Sequence, residues 1–274
     1  MRVQLEDVVD AARQSGSLWN DCPEKIGEFG GPPGVDFLEN FGNMPALSSA
    51  SHLSRWDSFF DASGTINQDE AVAGVLQLYS DGTDNDSAVI QTSGNTGAAF
   101  QIRESLAYPL WFEVRFYVDS IGDDDLAIFL GLAEAGTAVD NWKVDNTGVM
   151  ADKNWIGFDS VHVNGGTTGL NAVLNARYKA DTQTQQTKIA TLQTMVASTW
   201  YKVGFKYVPG AKTTQRLQFF LDGARQTTFG TNTNLTAATF PYDKILAPLI
   251  GLQTGGGGAQ SLFVDWIRCA QTTG

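Results

Sequence analysis

Histidine and cysteine are nearly missing from this 274-residue chain, with two of each. His52 sits in a serine-rich stretch and His162 ends a strand-like one, so neither reads as a general base. Cys22 and Cys269 stand at opposite ends of the sequence. Together with the histidines they have no zinc-ligand spacing. In a protein made without export they read as small apolar residues rather than as a disulfide. No G-x-S-x-G elbow occurs, which removes a hydrolase triad of that type. No apolar run reaches the roughly 18 residues of a membrane-spanning helix, so no membrane partner is expected. Residues 1–7 lack the basic start and apolar core of a secretory signal.

Positive charge is also short. Lys and Arg number 18 against 30 Asp and Glu, a formal net charge of −12. An acidic surface repels phosphate backbones, so no direct nucleic-acid partner is expected. The same charge suits docking on a basic protein surface.

Apolar residues are plentiful: 42% of the chain is hydrophobic and 11% aromatic, which excludes a disordered polymer. From about residue 55 onward, short runs of β-formers alternate with Gly, Asn, Asp and Thr. The expected strands are 55–60, 73–79, 86–92, 98–103, 110–119, 126–133, 154–163, 170–178, 187–193, 199–208, 215–222, 224–229, 246–253 and 261–270. In 110–119, Phe112, Val114, Phe116 and Val118 fall on one face, Glu113 and Arg115 on the other. Tyr201, Val203, Phe205 and Tyr207 oppose Lys202 and Lys206 in the same way. Two sheets packed through such faces make a sandwich. Asp222-Gly223 fits a type I′ hairpin turn, which needs positive φ at both central residues. Gly255 to Gly258 form a loop with no following Lys-Ser or Lys-Thr, so it is not a phosphate cradle. No internal repeat is present. Residues 46–274 are therefore expected to form one β-sandwich.

Residues 1–45 differ. Val3, Leu5, Val8, Val9 and Ala12 suit one face of a short helix. Gly30-Gly31-Pro32-Pro33-Gly34 suits neither a helix nor a central strand. The stretch reads as an extended, partly helical arm. Its candidate contact residues are Leu5, Val8, Val9, Leu18, Trp19, Phe29, Phe37, Leu38 and Phe41. Packing onto the chain's own body is the competing use for them.

Two further sets of residues carry possible chemistry. Asp81, Asp84 and Asp86, with Asn85 between them, crowd hard oxygen donors into one loop and are weak calcium candidates. The competing reading is a set of turn-forming side chains bonded to their own backbone. No cofactor is expected. Trp19, Trp56, Trp142 and Trp155 are candidates for stacking on sugar rings, against ordinary packing. Trp111, Trp200 and Trp266 read as strand packing.

The segments Trp200-Tyr201-Lys202-Val203-Gly204-Phe205, Phe219-Phe220-Leu221-Asp222-Gly223 and Val264-Asp265-Trp266-Ile267-Arg268 resemble the closing strands of the concanavalin A-like lectin/glucanase superfamily. The resemblance implies an all-β, two-sheet antiparallel jelly-roll sandwich, and says nothing of activity. Glycoside hydrolase family 16 within it draws its acids from one strand with an E-x-D-x-x-E pattern, and a retaining mechanism needs two carboxylates about 5 Å apart. That spacing is absent here. Glu113 is followed by Arg115 rather than an acid, and Asp123-Asp124-Asp125 is a loop triplet whose members point in different directions.

Three other stretches are similar to structural proteins of tailed bacteriophages encoded near the major capsid protein. They are residues 83–92, Leu110-Trp111-Phe112-Glu113-Val114-Arg115, and 144–158. This resemblance implies a non-enzymatic virion component on the capsid surface, made in the host cytoplasm. Such a decoration (cement) protein would have the major capsid protein and copies of itself, as trimers or dimers, for partners. A glycan-binding module for adhesion to cell-surface polysaccharide is the alternative, and a glycosidase with an atypical site is the third.

Overall fold

A computed structural model describes residues 18–23, 26–27, 31–42, 44, 47, 55–61, 63–69, 74–92, 99–103, 108–121, 126–144, 149–161, 172–209, 211, 213–255 and 258–273. Outside them lie the expected N-terminal helix with Leu5, Val8 and Val9, and also Phe29, His52, His162 and the Asp123-Asp124-Asp125 triplet.

The strands are β1 (Gly34–Glu39), β2 (Trp56–Phe60), β3 (Thr65–Gln68), β4 (Leu76–Ser80), β5 (Ser87–Thr92), β6 (Phe100–Gln101), β7 (Leu110–Val118) and β8 (Leu126–Glu134). They continue as β9 (Trp155–Asp159), β10 (Val173–Lys179), β11 (Gln186–Thr194), β12 (Tyr201–Tyr207), β13 (Leu217–Leu221), β14 (Ala224–Gly230), β15 (Ile245–Thr254) and β16 (Gln260–Thr272). Among the described residues one short helix, α1 (Asn232–Leu235), is capped by Thr231.

Sheet A runs β14-β13-β12-β7-β16-β4-β3, with β1 also paired to β16. Sheet B runs β11-β10-β9-β8-β15-β5-β2, with β6 also paired to β15. Each strand pairing is antiparallel. The alternation read from the sequence sets the packing. Phe112, Val114, Phe116, Val203 and Phe205 of sheet A meet Ile128, Leu130, Ile156, Phe158 and Ile250 of sheet B in one continuous core. Phe112 and Phe205 stack at 5.0 Å, and Phe158 meets Phe219 edge-on at 6.3 Å across the two sheets. The Asp222-Gly223 turn has φ of 48° and 80°, as a type I′ hairpin requires.

Two strands escaped the sequence pattern. β1 pairs with β16 from Gly34↔Thr272 to Glu39↔Ile267, so the sandwich begins before residue 46 and takes in the last part of the expected arm. A Pro-Gly-rich approach hid it. β3 contains one apolar residue, Ile66, which is buried, and a single apolar residue makes no visible alternation. Of the expected strand 98–103, residues 99–103 are described, and among these a ladder forms at Phe100–Gln101.

Candidate functional site

Alternation gives each sheet an outer face, and each outer face carries a cover made from the chain itself. On sheet A, Glu113 is central and fully buried. In the ladder its neighbours are Gly204 on β12 and Arg268 on β16. Residues 18–23, 26 and 27 lie over it. Leu18, Trp19 and Ile26 pack against Trp111, Phe220 and Ala270. The indole N–H of Trp19 donates to Glu113 Oε2 at 2.7 Å. Asp21 accepts from Trp111 Nε1 at 2.9 Å and from Lys206 Nζ at 3.2 Å. Arg268 lies 4.3 Å from the Trp19 ring centroid and bonds Asp36 of β1 at 2.9 Å. Gly204 makes this approach possible, since a Cβ there would lie 2.4 Å from Leu18 Cδ1.

The rest of this face is more open. Trp200, Tyr117 and Phe263 form one row across three neighbouring chain segments. Tyr117 stacks on Phe263 at 4.4 Å and meets Trp200 edge-on at 4.6 Å. The Arg115 guanidinium lies 4.2 Å from the Trp200 ring centroid and pairs with Asp265. Tyr117 and Trp200 are half-buried, while Phe263 is nearly covered. Burial, with the nearby charges of Asp69 and Asp119, pushes the Tyr117 phenol up.

On sheet B the cover is a strap following β8, residues 135–144 and 149–154. Trp142 and Met150 pack on Val89, Phe129, Ala133, Trp155 and Leu249. Beside Trp142, Lys143 is wholly buried. Its Nζ donates to the Ser160 carbonyl at 2.6 Å and lies 3.8 Å from Asp159 Oδ2. Arg177 Nη1 reaches the same oxygen at 3.0 Å. Asp159 is also fully buried, and its Oδ1 has no hydrogen-bond partner. Burial pulls Lys143 down to about 8. Burial likewise pushes Asp159 up, against the opposing charges of Lys143 and Arg177. Sequence reasoning passed over this cluster. The signal available was one acid ending the apolar run Trp155–Asp159, since an acid in a buried strand demands a partner.

The arm residues are therefore divided. Leu18, Trp19 and Phe41 are buried in the chain's own body, and Phe37 and Leu38 are half-buried within β1. The candidate sugar-stacking residues Trp19, Trp56, Trp142 and Trp155 are all buried as well, at most 3% exposed, which leaves no ring face for a sugar. Of the calcium candidates, Asp81 and Asp86 share a hydrogen bond, and Asp81 accepts another from the Thr83 backbone at 3.0 Å. The Thr83 N–H, then Asp86, hold Asp81 down to about 2. Burial first, then Asp81, pushes Asp86 up to about 6. Among the described residues no three His, Cys, Asp or Glu are grouped to hold a metal ion. Cys269 is a buried free thiol.

Among the described strands, none presents two carboxylates at alternate positions on one face. β7 offers Glu113 alone, and β9 offers Asp159 alone beside Trp155 and Gly157. The class defined by these features is an all-β concanavalin A-like sandwich with both outer faces partly filled by its own chain.

Solved structures agree on that class. The chain is similar to an endo-1,3-beta-glucanase from Streptomyces sioyaensis, with 13% identity and a TM-score of 0.52 over 88% of this chain and 97% of that one. It is similar to the carbohydrate recognition domain of Emp47p, with 13% identity and a TM-score of 0.51 over 86% and 94%. A glycoside hydrolase family protein from Mycobacterium thermorestibile gives 15% identity and a TM-score of 0.50 over 85% and 99%. Likeness at these identities establishes the jelly-roll fold, which hosts sugar-binding and sugar-cleaving proteins alike. No protein-family model and no curated protein sequence matches the chain.

Proposed function

We propose that this chain is a non-enzymatic binding protein, and specifically a virion structural protein that decorates a tailed-phage head by attaching to its major capsid protein. The observation that carries the non-enzymatic part is the fate of the two central carboxylates. Glu113 and Asp159 are fully buried beneath Trp19 and beneath the Trp142–Lys143 strap, each without a second acid on its strand face. A glycosidase needs two carboxylates flanking an open cleft.

The virion part is supported by the three sequence stretches similar to phage structural proteins. It is also supported by a rigid two-sheet body within a chain of net charge −12, which suits a soluble outer surface. Attachment is assigned to residues ahead of the body, Leu5, Val8 and Val9, together with Phe29. Copies grouped as trimers or dimers on a shell would turn modest single-site affinity into avidity.

The test is cosedimentation with shells of the major capsid protein, using the full chain and a chain starting at Leu18. The expected result is saturable binding of the full chain, lost on truncation. A full chain that stays in the supernatant overturns the decoration reading. Release of reducing sugar from a β-glucan overturns the non-enzymatic one.

A second reading, attachment to a cell-surface glycan, is favoured by the partly open Trp200-Tyr117 row beside Arg115 and Asp265. An aromatic surface flanked by donors and acceptors suits a sugar ring. A glycan array supports it through hits lost in Trp200→Ala, and a blank array overturns it.

A further inference from the structure

We propose that Lys143 and Asp159 are the two halves of an intramolecular isopeptide bond that welds the strap to sheet B. The pairing brings a nucleophile, an electrophile and a polarising donor into one sealed space. Lys143 Nζ is held by the Ser160 carbonyl at 2.6 Å and stands 3.8 Å from Asp159 Oδ2. Arg177 Nη1 donates to that same oxygen at 3.0 Å, where it draws electrons from the carboxyl carbon and stabilises the oxyanion of a tetrahedral intermediate. Asp159 Oδ1 accepts nothing and is the oxygen free to depart.

Both side chains are wholly buried, behind a wall that includes Trp142, Phe129 and Trp155. Water, which would compete for the carboxyl and drive the reverse reaction, is excluded there. Holding two groups in contact makes their condensation effectively unimolecular. Burial also shifts the pair toward the uncharged forms that react, lowering the lysine and raising the acid.

The step balances without an outside reagent. One proton passes from the ammonium to the carboxylate, giving an amine and a carboxylic acid. The Nζ lone pair attacks Asp159 Cγ and a C–N bond forms. The C–OH bond breaks, and the hydroxyl leaves with one amine proton as water. The other amine proton remains as the amide N–H. Two buried charges become one neutral amide, and removing buried charge removes a desolvation cost. Arg177 keeps an acceptor in the amide carbonyl and retains its bond to Thr187 Oγ1 at 3.1 Å.

The test is the intact mass of the full chain, folded and held near neutral pH, followed by peptide mapping. The expected mass is lower by one water than that of the sequence. The expected digest contains a branched peptide joining Lys143 to Asp159, absent from Lys143→Arg, whose mass matches its own sequence. A wild-type mass equal to that of the sequence overturns the proposal. So does a water loss that mild alkali reverses, or one that maps to the Asp-Gly pairs Asp81-Gly82 or Asp222-Gly223. Those pairs lose water by cyclising on their own backbone, and alkali reopens that ring but leaves a side-chain amide intact.

Discussion

The indole N–H of Trp19 donates to the Glu113 carboxylate across 94 residues of sequence, at 2.7 Å and out of contact with water. This bond ties the N-terminal segment to the centre of sheet A. A hydrogen bond to a buried carboxylate is among the stronger kinds, because the charged acceptor has no solvent to fall back on. Trp19→Phe keeps most of the packing and removes the donor. It is expected to cost about 2 kcal/mol of stability, measured by urea denaturation. An unchanged midpoint would show that the bond contributes nothing net.

Gly251 and Trp142 make the second prediction. A Cβ at Gly251 would lie 2.7 Å from two atoms of the Trp142 ring, and its three nearest neighbours are all in that ring. Gly251→Ala should therefore displace the strap while leaving the β15 ladder in place. The expected cost is about 1–3 kcal/mol from overpacking. A changed tryptophan fluorescence spectrum and faster proteolysis at residues 135–154 are the readouts. A spectrum identical to wild type would contradict this contact.

Acidity supplies the third. Asp86 is pushed from 3.8 up to about 6, chiefly by burial and then by Asp81. Between those values the folded protein keeps a proton that the unfolded chain has released. Stability then falls as pH rises through this window. Asp81, held down to about 2 by the Thr83 backbone and Asp86, contributes its stabilisation above 3.8 and loses it as pH falls toward 2. Asp86→Asn retains a donor toward Asp81 but cannot titrate. It should flatten the decline between pH 3.8 and about 6 in denaturation midpoints taken across that range. A variant with the same slope as wild type would place the titrating group elsewhere.

The hairpin turn supplies the fourth. Gly223 holds φ at 80°, a region that costs an L side chain about 1 kcal/mol. Gly223→Ala should lower stability by that amount, whereas Asp222→Asn, at φ 48°, should be nearly neutral because Asn tolerates the same region. Equal losses from the two would argue against the turn assignment.

Strands were legible wherever apolar and polar residues alternate, as in β7 and β12, because a period of two marks one face for the core. β1 and β3 lacked that signature, one behind a Pro-Gly run and one with a single apolar anchor. The tryptophans show the limit more clearly. Trp19, Trp56, Trp142 and Trp155 lie in or beside loops and strand ends, where local sequence does not say whether a ring faces water. Each is buried by residues remote in sequence, Trp19 by β7 and β16 and Trp142 by β15.

Composition and alternation alone determined an acidic, all-β, two-layer body, poor in histidine and without paired acids on any strand read from it. Those properties are local: they depend on which residues occur and how they are spaced along one strand. What covers the outer faces was decided only in three dimensions. Trp19 over Glu113, and Lys143 beside Asp159, join segments that no periodicity links. Covering a sheet's second face is a matter of which distant segment returns to it, and that choice rests on long-range packing and charge pairing rather than on the pattern of the strand beneath.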